Sequence, residues 1–236
     1  MTPPVISVVI PAYNEEGGIE RCLRSLSDQT LPREQFEVIV VDGDSKDRTR
    51  EIAAAYADRV FIQTSPKVGG ARNDGVLAAR AALIATTDAD CVLPPDWLER
   101  IRNALSSEGV VMVYGTVRPI EDSIKNRVSL WMANTLSALC YRTGIMYYTL
   151  GCNTGFRKDA FVRAGMYRTI DAGDDLEIAR RMLLEGRILF DPGLKVGFSM
   201  RRYEQFGTIR SLYQWLYIVL KGGESGRYTY SRREYK

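Results

Sequence analysis

Residues 82–97 read ALIATTDADCVLPPDW. Ala82 to Thr87 is apolar and β-branched enough to be a strand, and it ends in Asp88-Ala89-Asp90. In an extended segment, residues two apart point to the same face. Two carboxylates so placed repel each other and resist desolvation unless a cation sits between them. The alternative is a solvated turn that caps the next helix. The surrounding chain decides between the two.

Upstream, VISVVIPAY (5–13) is continuously apolar, as expected of a parallel strand covered on both faces. After it Ile19, Cys22, Leu23 and Leu26 recur at helical spacing. FEVIVVDGDS (36–45) repeats the pattern and predicts a helix from about Lys46 to Ala57. DRVFIQTS (58–65) is a third short strand. VGGARNDGVLAARAA (68–82) reads as a glycine-rich turn leading into a small-residue helix. Strands alternating with helices imply right-handed βαβ units and a doubly wound, mostly parallel sheet flanked by helices. Ligands of such sheets bind beyond the carboxyl ends of the strands. Pro11–Glu15, Asp42–Ser45 and Asp88–Asp90 all fall there. Three polar clusters on one rim favour a site over three unrelated turns.

Downstream, the spacing predicts a helix over 96–105, a strand at VVMVYGTV (110–117), a helical stretch over about 122–142, and a strand at RILFDP (187–192). TLGCNTGFRKDAF (149–161) reads as glycine-rich and polar. The βα alternation weakens after about residue 115. One domain over 1–200 is therefore expected, with a nucleotide-binding half at about 1–115 and an acceptor half at about 116–200. Residues 201–236 would follow as an amphipathic helix and basic tail.

The bulk numbers exclude several chemistries. The 236-residue chain has no histidine, so nucleophile systems built on histidine and His-ligated zinc are out. A proton-transfer catalyst must then be a carboxylate, Lys, Tyr or Cys, and a metal site would be oxygen-ligated, favouring Mg²⁺ or Mn²⁺. Cys22, Cys91, Cys140 and Cys152 are far apart and form no CxxC pair, which predicts reduced thiols. A net charge of +3 is too small to indicate nucleic acid, yet suits a phosphate-bearing ligand or an anionic membrane. No signal peptide is evident, and WLYIVL (215–220) is too short to span a bilayer. A cytoplasmic location is expected.

The motifs VVIPAYNEE, VVDGDSKDRT, GGARNDG, TTDAD and GDDLEIARRMLLEG together resemble family 2 glycosyltransferases, which have the GT-A fold, over roughly residues 5–193. The resemblance implies inverting transfer of a sugar from a UDP- or GDP-linked donor, aided by Mg²⁺ or Mn²⁺. It implies that Pro11, Ala12, Tyr13 and Glu15 border the nucleotide and that Asp42 hydrogen-bonds the base. It implies that Asp175 is the general base, with Asp174 binding or orienting the acceptor. Asn153, Thr154 and Gly155 stand where the family forms its donor-sugar wall. One departure is visible: Asp-Gly-Asp-Ser stands where the family more often has Asp-Asp-Gly-Ser, and only Asp42 carries over.

The residues suit that chemistry. A divalent cation neutralises charge developing on a diphosphate leaving group. Asp90, furthest beyond the strand, is the expected metal ligand, and Asp88 would sit near the ribose or support the metal through water. The Arg72 guanidinium can hold a phosphate or base edge. Asp175 shares a stripe with Ile178, Ala179 and Met182, which aims it at the core, while Asp174 leans toward Glu177 and Arg181.

GTIRSLYQWLYIVLKGG (207–223) carries a wide apolar stripe flanked by Arg201, Arg202, Arg210 and Lys221. It suits an interfacial helix serving a polyprenyl-phosphate-type or saccharide acceptor at the membrane, or a helix on the core or a homodimer contact. A nucleotidyltransferase would usually carry a basic, glycine-rich loop after the first strand, where this chain has PAYNEEGG. A non-catalytic nucleotide-sugar-binding protein would be expected to lack Asp90 or Asp175.

Overall fold

The computed structural model describes residues 3–144, 147, 149–170 and 173–206. The segment 207–221, read as an amphipathic helix, lies outside the described residues.

β1 (Ile6–Ala12), β2 (Phe36–Asp42), β3 (Arg59–Ile62) and β4 (Leu83–Thr86) pair in parallel, with β1 at the centre of that half. Every residue of β1 and β2 is buried. Side chains alternate between faces: Val8 and Ile10 pack into one core with Cys22, Leu23, Trp97 and Leu98. Val9 and Ile39 pack into the other with Val76, Phe156 and Ile178. Helices α1 (Ile19–Ser27), α2 (Thr49–Ala54) and α4 (Trp97–Ser106) serve the first core. The second is closed by α3 (Lys67–Ala78), α6 (Lys158–Arg163) and α7 (Asp174–Met182).

The remaining strands are β5 (Val110–Pro119), β6 (Thr154–Arg157) and β7 (Arg187–Phe198), and the sheet order is β3-β2-β1-β4-β6-β5-β7. β6 pairs antiparallel with both β4 and β5, so the sheet is mixed at that point. The polar reading of residues 149–161 missed both β6 and α6. A four-residue strand is too short to show a period, and its place is set by the two strands that it bridges.

Two other expectations change. Gly69 and Gly70 lie inside the first turn of α3 instead of in a turn before it. Further along the same helix, a Cβ at Gly75 would lie 2.3 Å from Val9 Cγ1, so its absence lets α3 rest directly on β1. In addition, β4 ends at Thr86, and the Cys91 N–H donates to Asp88 O at 3.1 Å. Asp88–Asp90 is therefore a turn rather than extended chain, and its two carboxylates diverge.

α5 (Ile124–Thr143) packs against β5 and β7, and α8 (Arg201–Phe206) meets it through Asn126 and Glu204. No helix among the described residues is long and apolar enough to cross a membrane.

Candidate active site

The carboxyl ends of β1, β2 and β4 share one rim. At β2, the Asp42 side chain is fully buried, and Oδ1 accepts from the Ser45 N–H at 2.7 Å. Its Oδ2 is buried without a hydrogen-bond partner among the described residues. The displaced carboxylate of the same motif behaves differently: Asp44 is exposed and pairs with Lys46. Pro11 and Ala12 finish β1, where Ala12 O accepts from the Gly43 N–H at 2.7 Å. Tyr13 follows, 40% exposed, with its ring against Gly43.

The two carboxylates of the TTDAD turn take separate guanidinium partners. Asp88 Oδ1 accepts from Arg72 Nη2 at 2.7 Å. Asp90 is buried, with Arg201 Nη2 3.8 Å from Oδ2. The same Arg201 nitrogen donates to Glu15 Oε2 at 2.7 Å. Among the described residues no three acidic, Cys or His side chains converge to hold a metal by themselves. Asp90 and Asp88 are hard oxygen donors. They fit Mg²⁺ or Mn²⁺ only as part of a shell completed by water and phosphate oxygens, the usual habit of these ions.

Arg72 is the strut of the site. It is buried, its Nη1 lies 3.3 Å from Asp174 Oδ2, and its guanidinium stacks over the Tyr167 ring at 5.7 Å. Burial opposes its charge, and Asp88 and Asp174 more than restore it. A Cβ at Gly151 would lie 2.7 Å from Nη2, so only glycine lets the backbone pass against this group. The guanidinium expected at a phosphate or base edge is thus engaged within the protein.

The acidic pair opens α7, with the reverse of the predicted orientation. Asp174 is the buried member, aimed at Arg72, and Asp175 is only partly buried. Asp174 is the first helical residue, and its Cα–Cβ bond leans toward the helix start, into the cleft that holds Arg72. Stripe arithmetic for the helix body does not reach that position. Asp175 Oδ2 accepts from the Gly151 N–H at 3.0 Å and Oδ1 from the Leu176 N–H at 2.9 Å, and among the described residues no cation touches it. Burial pushes Asp175 up to about 7, the Asp174 charge adds to that, and Arg72 partly offsets it. Burial also raises Asp174, against the pull of Arg72 in direct contact. The two carboxylates titrate as a pair, with Arg72 in contact favouring the charged form of Asp174.

The expected donor-sugar wall serves the scaffold. Asn153 is fully buried; its Nδ2 donates to Thr116 O and Leu194 O at 2.8 and 2.7 Å, and its Oδ1 accepts from Trp97 Nε1 at 2.9 Å. One amide thereby ties α4, β5 and β7 together. Thr154 is buried and donates to Leu150 O, and a Cβ at Gly155 would lie 2.4 Å from Ile101. Gly151 and Arg201 went unpredicted at their actual contacts. Gly151 had no signal in a stretch read as merely polar, whereas Arg201 was visible as one of a basic pair.

The sequence model described as glycosyl transferase family 2 matches residues 7–164. The chain belongs to that family. Glycosyltransferase AglE of Haloferax volcanii is 39% identical over 122 residues, covering 49% of this chain and 40% of that protein. An undecaprenyl-phosphate 4-deoxy-4-formamido-L-arabinose transferase of Pseudomonas paraeruginosa is 30% identical over 159 residues, covering 63% of this chain and 45% of that protein. The chain spans less than half the length of these two family 2 relatives. The mannosyltransferase PcManGT from Pyrobaculum calidifontis, solved in complex with GDP-Man and Mn²⁺, superposes with a TM-score of 0.65 at 23% identity, over 84% of this chain and 57% of that one. That likeness shows the fold, which is GT-A.

Proposed function

We propose that this chain is an inverting glycosyltransferase that moves a sugar from a nucleoside diphosphate donor to an acceptor hydroxyl or phosphate. The observation that carries the reading is Asp175, a carboxylate held by two backbone N–H groups and pushed up to about 7. Base catalysis works best when the base titrates near the working pH. With a hydroxyl acceptor, Asp175 takes its proton while the oxygen attacks the anomeric carbon; a phosphate acceptor attacks through an oxygen that is already ionised, and needs no proton removed. The bond from that carbon to the diphosphate oxygen breaks, and its electron pair leaves with the diphosphate. Attack opposite to the leaving group inverts the centre.

On the donor side, the buried Asp42 Oδ2 supplies an acceptor for an N–H of the base, with Tyr13 beside it. Pro11 and Ala12 line the approach, and Glu15 holds Arg201 at the phosphate end. Mg²⁺ or Mn²⁺, if held there, would offset charge on the leaving diphosphate. Asp90 would ligate it, and Asp88 would support it while anchored to Arg72. Arg72 and Asp174 position Asp175 and set its charge.

The relative named for undecaprenyl-phosphate supports a polyprenyl-phosphate-type acceptor, and our reading puts that acceptor at the cytoplasmic face of a membrane. PcManGT, holding GDP-Man and Mn²⁺, supports a nucleotide-sugar donor and a divalent ion. A thermal-shift panel of UDP, GDP and their sugars, with and without Mn²⁺, tests the proposal. A ligand at about a hundred times its Kd adds roughly 2.7 kcal/mol of stability. One nucleotide should do so in a Mn²⁺-dependent way. No shift with any of them refutes the donor site.

A further inference from the structure

α5 is built inside out. Its large apolar side chains Ile124, Val128, Trp131, Met132, Leu136 and Leu139 are all exposed, from 47% at Leu136 to 82% at Ile124. Their spacing makes a single stripe about 22 Å long. The residues turned toward the protein are mostly small or polar, Asn126, Asn134 and Ser137, with Leu130 and, near the C-terminal end, Tyr141 as the larger apolar contacts. A helix of a globular domain ordinarily does the reverse.

The helix cannot simply roll to hide the stripe. The Asn134 amide holds the Val117 backbone by both ends, accepting its N–H at 3.0 Å and donating to its C=O at 2.8 Å. Asn126 Nδ2 donates to Glu121 O and to Glu204 Oε1 on α8. Ser123 caps the start and Gly144, at φ +65°, ends it. Rotation would break these bonds.

Charge identifies what covers the stripe. No acidic residue occurs in Ile124–Thr143, and Lys125 and Arg142 stand exposed at its two ends. A tryptophan and aliphatic residues bracketed by cations match an anionic lipid surface. The chain's own 207–223 segment is a poorer occupant, because its apolar run is likewise flanked by Arg201, Arg202, Arg210 and Lys221. Stacking the two would bring like charges together, whereas anionic headgroups neutralise both sets. Beyond its C-terminal end, the chain reaches Thr149, whose hydroxyl donates to Asp175 O at 2.7 Å, and Gly151, which holds the Asp175 carboxylate. The geometry points to α5 as a membrane-docking surface that lies on anionic lipid, with the Asp175 side of the active site close to the bilayer.

A lipid-facing α5 needs nothing from the nucleotide site, so the two can fail separately. The full chain is sedimented with vesicles of phosphatidylcholine alone and of phosphatidylcholine mixed with phosphatidylglycerol. The parent should bind the mixed vesicles. Trp131→Glu with Leu136→Glu should weaken that binding by about tenfold or more, with melting temperature and oligomeric state unchanged. Lys125→Gln with Arg142→Gln should weaken it about fivefold per charge removed. Failure of the parent to bind, or undiminished binding by the Glu pair, overturns the proposal. A Glu pair that melts lower or changes oligomeric state also overturns it, since α5 would then be covered by its own chain or a second copy. A missing nucleotide shift alongside intact vesicle binding would count against the donor site alone.

Discussion

Two sets of carboxylates occupy the same rim and live under opposite electrostatics. Asp88, Asp90 and Glu15 each have a guanidinium within 4 Å, from Arg72 or Arg201. Asp175 has two backbone N–H groups and, among the described residues, no cation in contact, and burial pushes it up to about 7. One residue type is thus held in two ways: against guanidinium groups at the strand ends, and on backbone N–H groups at the start of α7.

The sharpest way to break this comparison is Asp175→Asn. The shape is kept and the basicity lost, so turnover should fall about 10²–10⁴-fold while the nucleotide–Mn²⁺ thermal shift persists. Steady-state kinetics beside that shift checks both halves. Near-normal turnover would move the base elsewhere, to Asp174 first.

Arg72→Met removes the strut between the two sets. Asp174 would be left buried and uncompensated, at a cost of about 3–5 kcal/mol, with Asp88 partly relieved by solvent. Urea denaturation should show the loss as a lower midpoint. If stability is unchanged, Arg72 is free to serve a ligand, as the sequence alone suggested.

Asn153→Leu tests the wall that turned out to be scaffold. It strands two buried carbonyls and the Trp97 N–H, each worth about 1–3 kcal/mol. Stability should fall by about 3 kcal/mol, with little change in donor KM. A raised KM at unchanged stability would restore Asn153 to the donor.

Smaller still is the pH dependence of stability. Asp175 has a folded pKa above its unfolded value of about 3.9, so the folded state holds the extra proton. Its contribution is fully present below about pH 4 and is lost as pH rises through about 7. Asp175→Asn should flatten that part of the profile. Asp44→Asn should change neither turnover nor melting temperature, because that carboxylate is exposed and outside the site.

The parallel half of the sheet was readable because β1 and β2 are covered on both faces, and burial on both faces writes itself as unbroken apolar runs. Asp42, Asp90 and Asp175 could be singled out in the sequence because strand ends and helix starts are local events. What was not readable depended on contacts distant in sequence. The turn at Asp88–Asp90 is one residue past a strand end that pattern alone places too late. Asp174 faces inward because Arg72, 102 residues earlier, lies across the start of α7. Asn153 is structural because three carbonyl and indole partners converge on it from separate elements. The apolar face of α5 was visible in sequence, and its outward direction was not: periodicity locates a stripe without saying what it meets.

The pH profile of turnover for the parent and for Asp175→Asn tests the central claim most directly. Asp175 must be ionised to accept a proton, so parent turnover should fall about tenfold per pH unit below about 7 and level off above it. The Asn variant, slower throughout, should lose that dependence. A parent profile flat down to about pH 5, or the same inflection near 7 in the variant, would contradict the assignment of Asp175 as the base.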